Sequence, residues 1–287
     1  MPALTHIDPL SFAKIIALME FVVGIVLAVV LLFFGNAFYS AFGNANRAQG
    51  MLQPGGVFLI ALPFIALIGG FAIYALEAIV YNFLVKKLGG IKLTFKGNVL
   101  QKIDPWSMGK ISLGFGVIFG VIIGIIEGVF ISAFTGTLGF SALIGVVVAV
   151  FVIVFSTVGS LLGGLIGAFV YNLLASAMGG IIINIKKGKV NSIGILSYAK
   201  FGAVLGLIIG LFVGVIYTLI FYAYTSMPSA GPSTSDQLPP LISAVGPFAL
   251  VVYPILYMLL TFGCALLFGW LYNWLSPRVG PIKVLLK

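Results

Sequence analysis

The sequence predicts an all-α polytopic membrane protein. Six transmembrane helices form three parallel two-helix repeats in a pseudo-threefold arrangement, with small cytoplasmic β-hairpins between repeats. Three observations carry this reading. The chain is 61% hydrophobic and only 7% charged, whereas soluble domains carry roughly 25% charged residues. Its apolar segments are long enough to cross a hydrocarbon core of about 30 Å. A motif also returns three times with constant internal spacing, which marks a tandem repeat.

The motif closes each repeat. It reads Tyr81-Asn82-Phe83-Leu84, a four-residue gap, then Gly89-Gly90-Ile91. It returns as Tyr171-Asn172-Leu173-Leu174 before Gly179-Gly180-Ile181, and as Tyr272-Asn273-Trp274-Leu275 before Gly280-Pro281-Ile282. A second motif opens each repeat. Ile7-Asp8-Pro9-Leu10-Ser11 with Lys14 matches Ile103-Asp104-Pro105-Trp106-Ser107 with Lys110. The third copy has drifted to Ile193-Gly194-Ile195-Leu196-Ser197 with Lys200. Asp followed by Pro is a helix start: the carboxylate takes free backbone N–H groups and Pro suits the first helical position. The repeats are residues 1–95, 96–189 and 190–287. Each holds two spans, so all three face the same way, related by an axis along the membrane normal.

The spans are expected at residues 11–34, 57–85, 108–133, 143–175, 196–223 and 244–275. Gly35-Asn36 reads as the stop of the first, followed by a polar loop to Gly56. The segment 226–240 is flexible by composition. Short β-rich runs flank a turn at 91–103 and again at 181–193, the hairpin signal. The last run, 282–285, has no return strand, and neither has the N-terminal run 3–7. The two chain ends are therefore expected to pair and close a ring of hairpins.

Charge sets the orientation. The net charge is +9, yet Arg47 is the one basic residue in the loops between paired helices. The rest lie at the termini and repeat junctions. By the positive-inside rule the junctions and both termini are cytoplasmic. This distribution points to a multi-pass plasma-membrane protein whose partners are the lipid bilayer and other membrane proteins, with no nucleic acid. Trp106, Trp274, Tyr81, Tyr171 and Tyr272 sit where an inner aromatic belt is expected. Cys264 lies in an apolar run, so no internal disulfide forms. The N-terminus has no basic n-region, and its first apolar run is too long for a signal peptide.

The opening motif at Ile103-Asp104-Pro105-Trp106-Ser107 with Lys110, followed by Tyr-Asn and Gly-Gly-Ile, resembles a two-span transmembrane domain family of unknown function from actinobacteria and archaea. The resemblance covers the start and end of each repeat. It implies no activity, cofactor or substrate. It does imply that a repeat can exist as a separate chain, so this protein would be a fused trimer. Without Asp and Pro, and with Pro281 for the second Gly, the third repeat departs from the pattern at its cap and turn.

Three sets of residues are candidates for chemistry or packing. Ser11 with Lys14, Ser107 with Lys110 and Ser197 with Lys200 have the spacing of a Ser/Lys nucleophilic dyad. Their threefold recurrence at membrane entries favours helix starts with snorkelling lysines instead. Asn82, Asn172 and Asn273 end the paired helices, where their side chains would meet Ser or Lys. Gly116, Gly120, Gly124 and Gly128, like Gly202, Gly206, Gly210 and Gly214, lie four apart, the spacing for close helix packing.

Glu20 breaks this symmetry. Counted from Lys14, it holds the place of Gly116 and Gly206. It lies about 9 Å beyond Lys14 at ~1.5 Å per residue, and an intramembrane ionisable residue is a functional candidate. The alternative is a protonated or hydrogen-bonded carboxyl that fills the room the two glycines leave. Glu77, one turn before Tyr81, is expected to meet a junction lysine, and Glu127 to meet solvent. Pro63 and Pro254 are equivalent positions where kinks are expected. No cofactor or metal motif is found. A non-enzymatic accessory subunit is the leading expectation, and a small channel or transporter with Glu20 on the pseudo-threefold axis is the alternative.

Overall fold

The structure, a computed structural model, describes residues 1–42, 48–134, 140–226 and 245–287. The expected position of Arg47 and most of the two other expected outer loops lie outside these residues. The helices are α1 (Pro9–Phe42), α2 (Ala48–Leu88), α3 (Pro105–Phe134), α4 (Phe140–Met178), α5 (Ile195–Thr225) and α6 (Ala249–Val279). Among the described residues six helices are long and apolar enough to cross a membrane. The chain is a multi-pass membrane protein.

Two boundaries differ from the expected ones. The Gly35-Asn36 stop does not end α1, which runs on to Phe42, and the polar stretch before Gly56 is already helical from Ala48. One Gly costs about 1 kcal/mol against Ala in a helix, too little to end a helix that long. The even helices do end on glycine. Gly89, Gly179 and Gly280 have φ of 80°, 78° and 95°, a backbone state that only glycine adopts without a Cβ penalty. The N–H of Gly89 bonds the Val85 carbonyl at 3.0 Å, and that of Gly280 bonds Ser276 at 3.1 Å. Pro281 thus leaves the third turn intact.

The chain forms two compact units, Met1–Phe12 with Ala75–Asn191 and Pro281–Lys287, and Ala13–Tyr74 with Ser192–Gly280. In the first, the expected ring of hairpins takes the form of one closed six-stranded barrel beside the membrane helices. Strands β1 (Ala3–Ile7), β2 (Ile91–Lys96), β3 (Val99–Ile103), β4 (Ile181–Lys186), β5 (Lys189–Ile193) and β6 (Ile282–Leu286) follow one another around a closed barrel. The chain ends do pair: β1 lies antiparallel to β6, with Leu4 opposite Leu286 and Ile7 opposite Val284. Irregular registers at Leu4/His6 and Thr94/Phe95 supply the bending that closure needs. Each hairpin alone has two open edges, and closure removes them all.

Beneath the strands, Val80, Tyr81, Leu84 and Val85 of α2 and Ile111 of α3 form a buried cluster, against which Leu4, Ile7 and Ile91 pack. Helices α3 and α4 pair along the glycine ridge described below. In the second unit, α1 meets α2 with Phe21 edge-on to Phe64 at 5.5 Å between ring centroids. There α5 meets α6, with Tyr217 against Tyr253 at 4.7 Å.

Candidate functional site

The recurrent residues build one junction three times. The strand that feeds each odd-numbered helix is held by the Asn at the end of its even-numbered partner. Asn82 Oδ1 accepts the Ile7 N–H at 2.9 Å and its Nδ2 donates to the Ile7 carbonyl at 2.7 Å. Asn172 does the same to Ile103, both at 2.8 Å, and Asn273 to Ile193, both at 2.8 Å. The expected partners, Ser and Lys, are thus replaced by a single backbone unit. The physical reason is geometric: an amide carries one donor and one acceptor side by side, as a peptide does. Buried backbone groups left without partners cost about 1–3 kcal/mol each.

The neighbouring Tyr reinforces the clamp. Tyr81 donates to the Leu4 carbonyl at 2.7 Å and Tyr171 to the Leu100 carbonyl at 2.5 Å. Tyr81 and Tyr272 are only 5% and 2% exposed, so they belong to the core and not to the expected aromatic belt. Trp106 and Trp274 are exposed, as a belt requires. Lys110 lies over the Trp106 ring at 5.6 Å and Arg278 over Trp274 at 4.5 Å.

Each serine belongs to a helix start. Asp8 Oδ2 accepts the Ser11 N–H at 2.9 Å, and Asp104 Oδ2 the Ser107 N–H at 2.8 Å. The hydroxyls of Ser11, Ser107 and Ser197 donate to the carbonyls of Asp8, Asp104 and Gly194. Ser11 and Ser107 also accept strand N–H groups, of Lys283 and Lys92, both at 3.0 Å. This ties the helix start to the adjacent strand. Their hydroxyl protons therefore go to carbonyls and not to an amine. Lys14 and Lys200 are exposed. The bond from the Ser11 N–H, seconded by the Ser11 hydroxyl and the charges of Lys283 and His6, holds the Asp8 carboxyl below its ordinary 3.8, although burial opposes it. Gly194 gives α5 no side-chain cap.

All eight ridge glycines face the other helix of their own repeat. A Cβ on Gly116 would meet the Ser156 carbonyl oxygen at 2.6 Å and Ser160 Oγ at 2.7 Å. One on Gly124 would meet the Ala149 carbonyl at 2.8 Å, and one on Gly128 that of Gly145 at 2.6 Å. Gly120 faces Ser156. In the third repeat Gly202 faces Ala265, Gly206 faces Thr261 and Gly214 faces Ala249. A Cβ on Gly210 would lie 2.6 Å from Pro254 Cα, and Gly24 stands 3.1 Å from Pro63 Cα by the same measure. The two prolines therefore sit on the glycine contacts of their repeats.

Glu20 faces α2. Tyr74 donates its hydroxyl hydrogen to Glu20 Oε1, and Oε2 lies against Gly70, 2.5 Å from where a Cβ would stand. Glu20 and Tyr74 each lie within two residues of the middle of their spans. The sequence reading missed Gly70 and Tyr74. Counting back from Asn82, Asn172 and Asn273 would have found them, because Gly70 aligns with Ser160 and Thr261, and Tyr74 with Gly164 and Ala265. Glu77 is half-buried on α2 and Glu127 is exposed on α3.

Comparison of the chain with protein-family models, with curated proteins and with solved structures finds no match.

Proposed function

We propose that the chain is a non-enzymatic accessory or structural subunit of a larger assembly in the plasma membrane. Both termini face the cytoplasm, and its three repeats stand in a pseudo-threefold arrangement. The carrying observation is how little of each span the chain itself covers. Only 6% of the most apolar stretch of α4 is buried within the protein, and 28% of that of α1, the largest share. Residues such as Phe151, Phe155 and Ile166 on α4 are more than half exposed. Such faces suit lipid and partner helices, which in a bilayer associate through packing and small residues. The junction residues support the same reading, since their polar groups serve helix starts and strand clamps.

The test is extraction from native membranes in mild detergent with the full chain tagged. The reading expects one stoichiometric partner that co-migrates through native electrophoresis and is lost when Phe151→Ala and Phe155→Ala are combined. A chain that migrates alone in both forms would sink it.

A second reading, a path for ions, is favoured by the Glu20–Tyr74 pair at mid-span. Charged side chains at that depth mark pathways in other membrane proteins. Ion flux through liposomes that disappears in Glu20→Gln would select this reading.

A further inference from the structure

We propose that the β4–β5 turn and the start of β6 form a docking surface for an acidic segment of another protein. Lys186, Lys187, Lys189 and Lys283 are all exposed there. Two of them are held where a lysine is unfavourable. Lys189 stands directly opposite Lys283 in the β5–β6 register, and like charges in that relation destabilise a sheet. Lys187 has φ 51°, the left-handed region in which a side chain crowds the following carbonyl and Asn or Gly is at ease. The equivalent turn between β2 and β3 uses Gly97, φ 60°. None of the six strands carries an acidic residue. Asp8 is within electrostatic reach of Lys283 but is engaged by the Ser11 N–H. Lys283 lends charge to the Asp8 cap, but Lys186, Lys187 and Lys189 serve no helix cap, so the strain at Lys187 and the repulsion at Lys189 are the kind that function retains.

The chemistry selects carboxylates. The cluster is all lysine, a set of compact point charges that attracts a run of carboxylates without demanding two-point geometry. Strands β4, β5 and β6 carry no aromatic ring on which a base would stack. Lys187 lies at the distal end of its hairpin, midway along the chain between the end of α4 and the start of α5. The contact is outside the bilayer, so it stands whether or not the spans pack on partner helices.

The experiment uses the full chain in phosphatidylcholine nanodiscs and a fluorescent deca-glutamate peptide read by polarisation. Binding is expected, weakening steeply as salt is raised. Combining Lys186→Gln, Lys187→Asn and Lys189→Gln should weaken it about tenfold, while Lys96→Gln on the other hairpin changes it less than about threefold. Lys189→Glu should weaken the glutamate peptide more than Lys189→Gln does, while its melting temperature stays at or above that of the unaltered chain because the new carboxylate pairs with Lys283 across the strands. Absence of peptide binding, an unchanged triple variant, tighter binding of an RNA oligonucleotide, or stronger attachment to phosphatidylglycerol vesicles would each overturn the proposal.

Discussion

Helix pairs α1–α2 and α3–α4 use the same positions for opposite purposes. In α3–α4 the odd helix is bare at Gly116 and the even helix supplies Ser160. In α1–α2 the odd helix supplies Glu20 and the even helix is bare at Gly70. The α5–α6 pair follows the second repeat, with Gly206 against Thr261. Bulk has moved across the contact and has grown, since Glu20 and Tyr74 stand where the second repeat has Gly116 and Gly164. A single-residue view makes Glu20 an intrusion into a glycine ridge. The paired view makes it one half of an exchange, completed by Gly70 and bonded by Tyr74.

The largest break in this comparison should come from a glycine whose Cβ would meet backbone. Gly116→Leu forces the side chain onto the Ser156 carbonyl and Ser160, so the helices must separate. Overpacking of this kind costs about 1–3 kcal/mol, and the upper end is expected because a backbone cannot step aside. Thermal unfolding in detergent should show a clear drop. An unchanged melting temperature would mean that α3 and α4 are not in this contact.

A transplant sharpens the comparison further. Gly70→Ser alone drives a side chain into Glu20 Oε2, the far end of a flexible side chain. A loss of about 1 kcal/mol is expected. Adding Glu20→Gly reproduces the Gly116–Ser160 contact of the second repeat in the first, with Tyr74 retained, and should recover part of that loss. The double-mutant cycle should therefore show a coupling of at least about 0.5 kcal/mol. Additive effects would separate the two positions. If flux or partner binding fails in the double variant while stability recovers, the carboxylate matters beyond filling space.

The sequence made the architecture legible because its signals are local or periodic. Six apolar runs, Asp-Pro starts and Gly-ended helices can each be read within a few residues. The pairing of the chain ends could be inferred from one missing strand. Closure into a ring followed from the same count, but the pairings between hairpins, such as Val99 opposite Ile182, could not be read, since each strand's second neighbour comes from another hairpin or from the far end of the chain. The Asn clamp was equally hidden: Asn82 meets Ile7 across a separation of 75 residues. Glu20 stood out against its glycine counterparts, but its partners Gly70 and Tyr74 lie on another helix, and neither gives a signal until the even helices are aligned from their asparagines.

The smallest expected effect concerns the helix starts, where α1 has a charged cap and α5 has Gly194. Asp8 is held below its ordinary 3.8 chiefly by the Ser11 N–H. A carboxylate with a lowered folded-state value stabilises the fold above its unfolded value and loses that contribution as pH falls through the folded one. Asp8→Asn keeps a side-chain acceptor for the Ser11 N–H and removes only the charge. At neutral pH it should cost about 0.3–1 kcal/mol, the scale of one charge at a helix N-terminus. The gap between wild type and variant should close as pH drops below 3.8. Gly194→Asp tests the converse. It places the same cap on α5, should stabilise by a similar amount near pH 7, and should lose that gain in acid. Melting curves from pH 3 to 7 on the three proteins decide the matter. A gap that stays constant with pH would assign the Asp8 contribution to shape and not to charge.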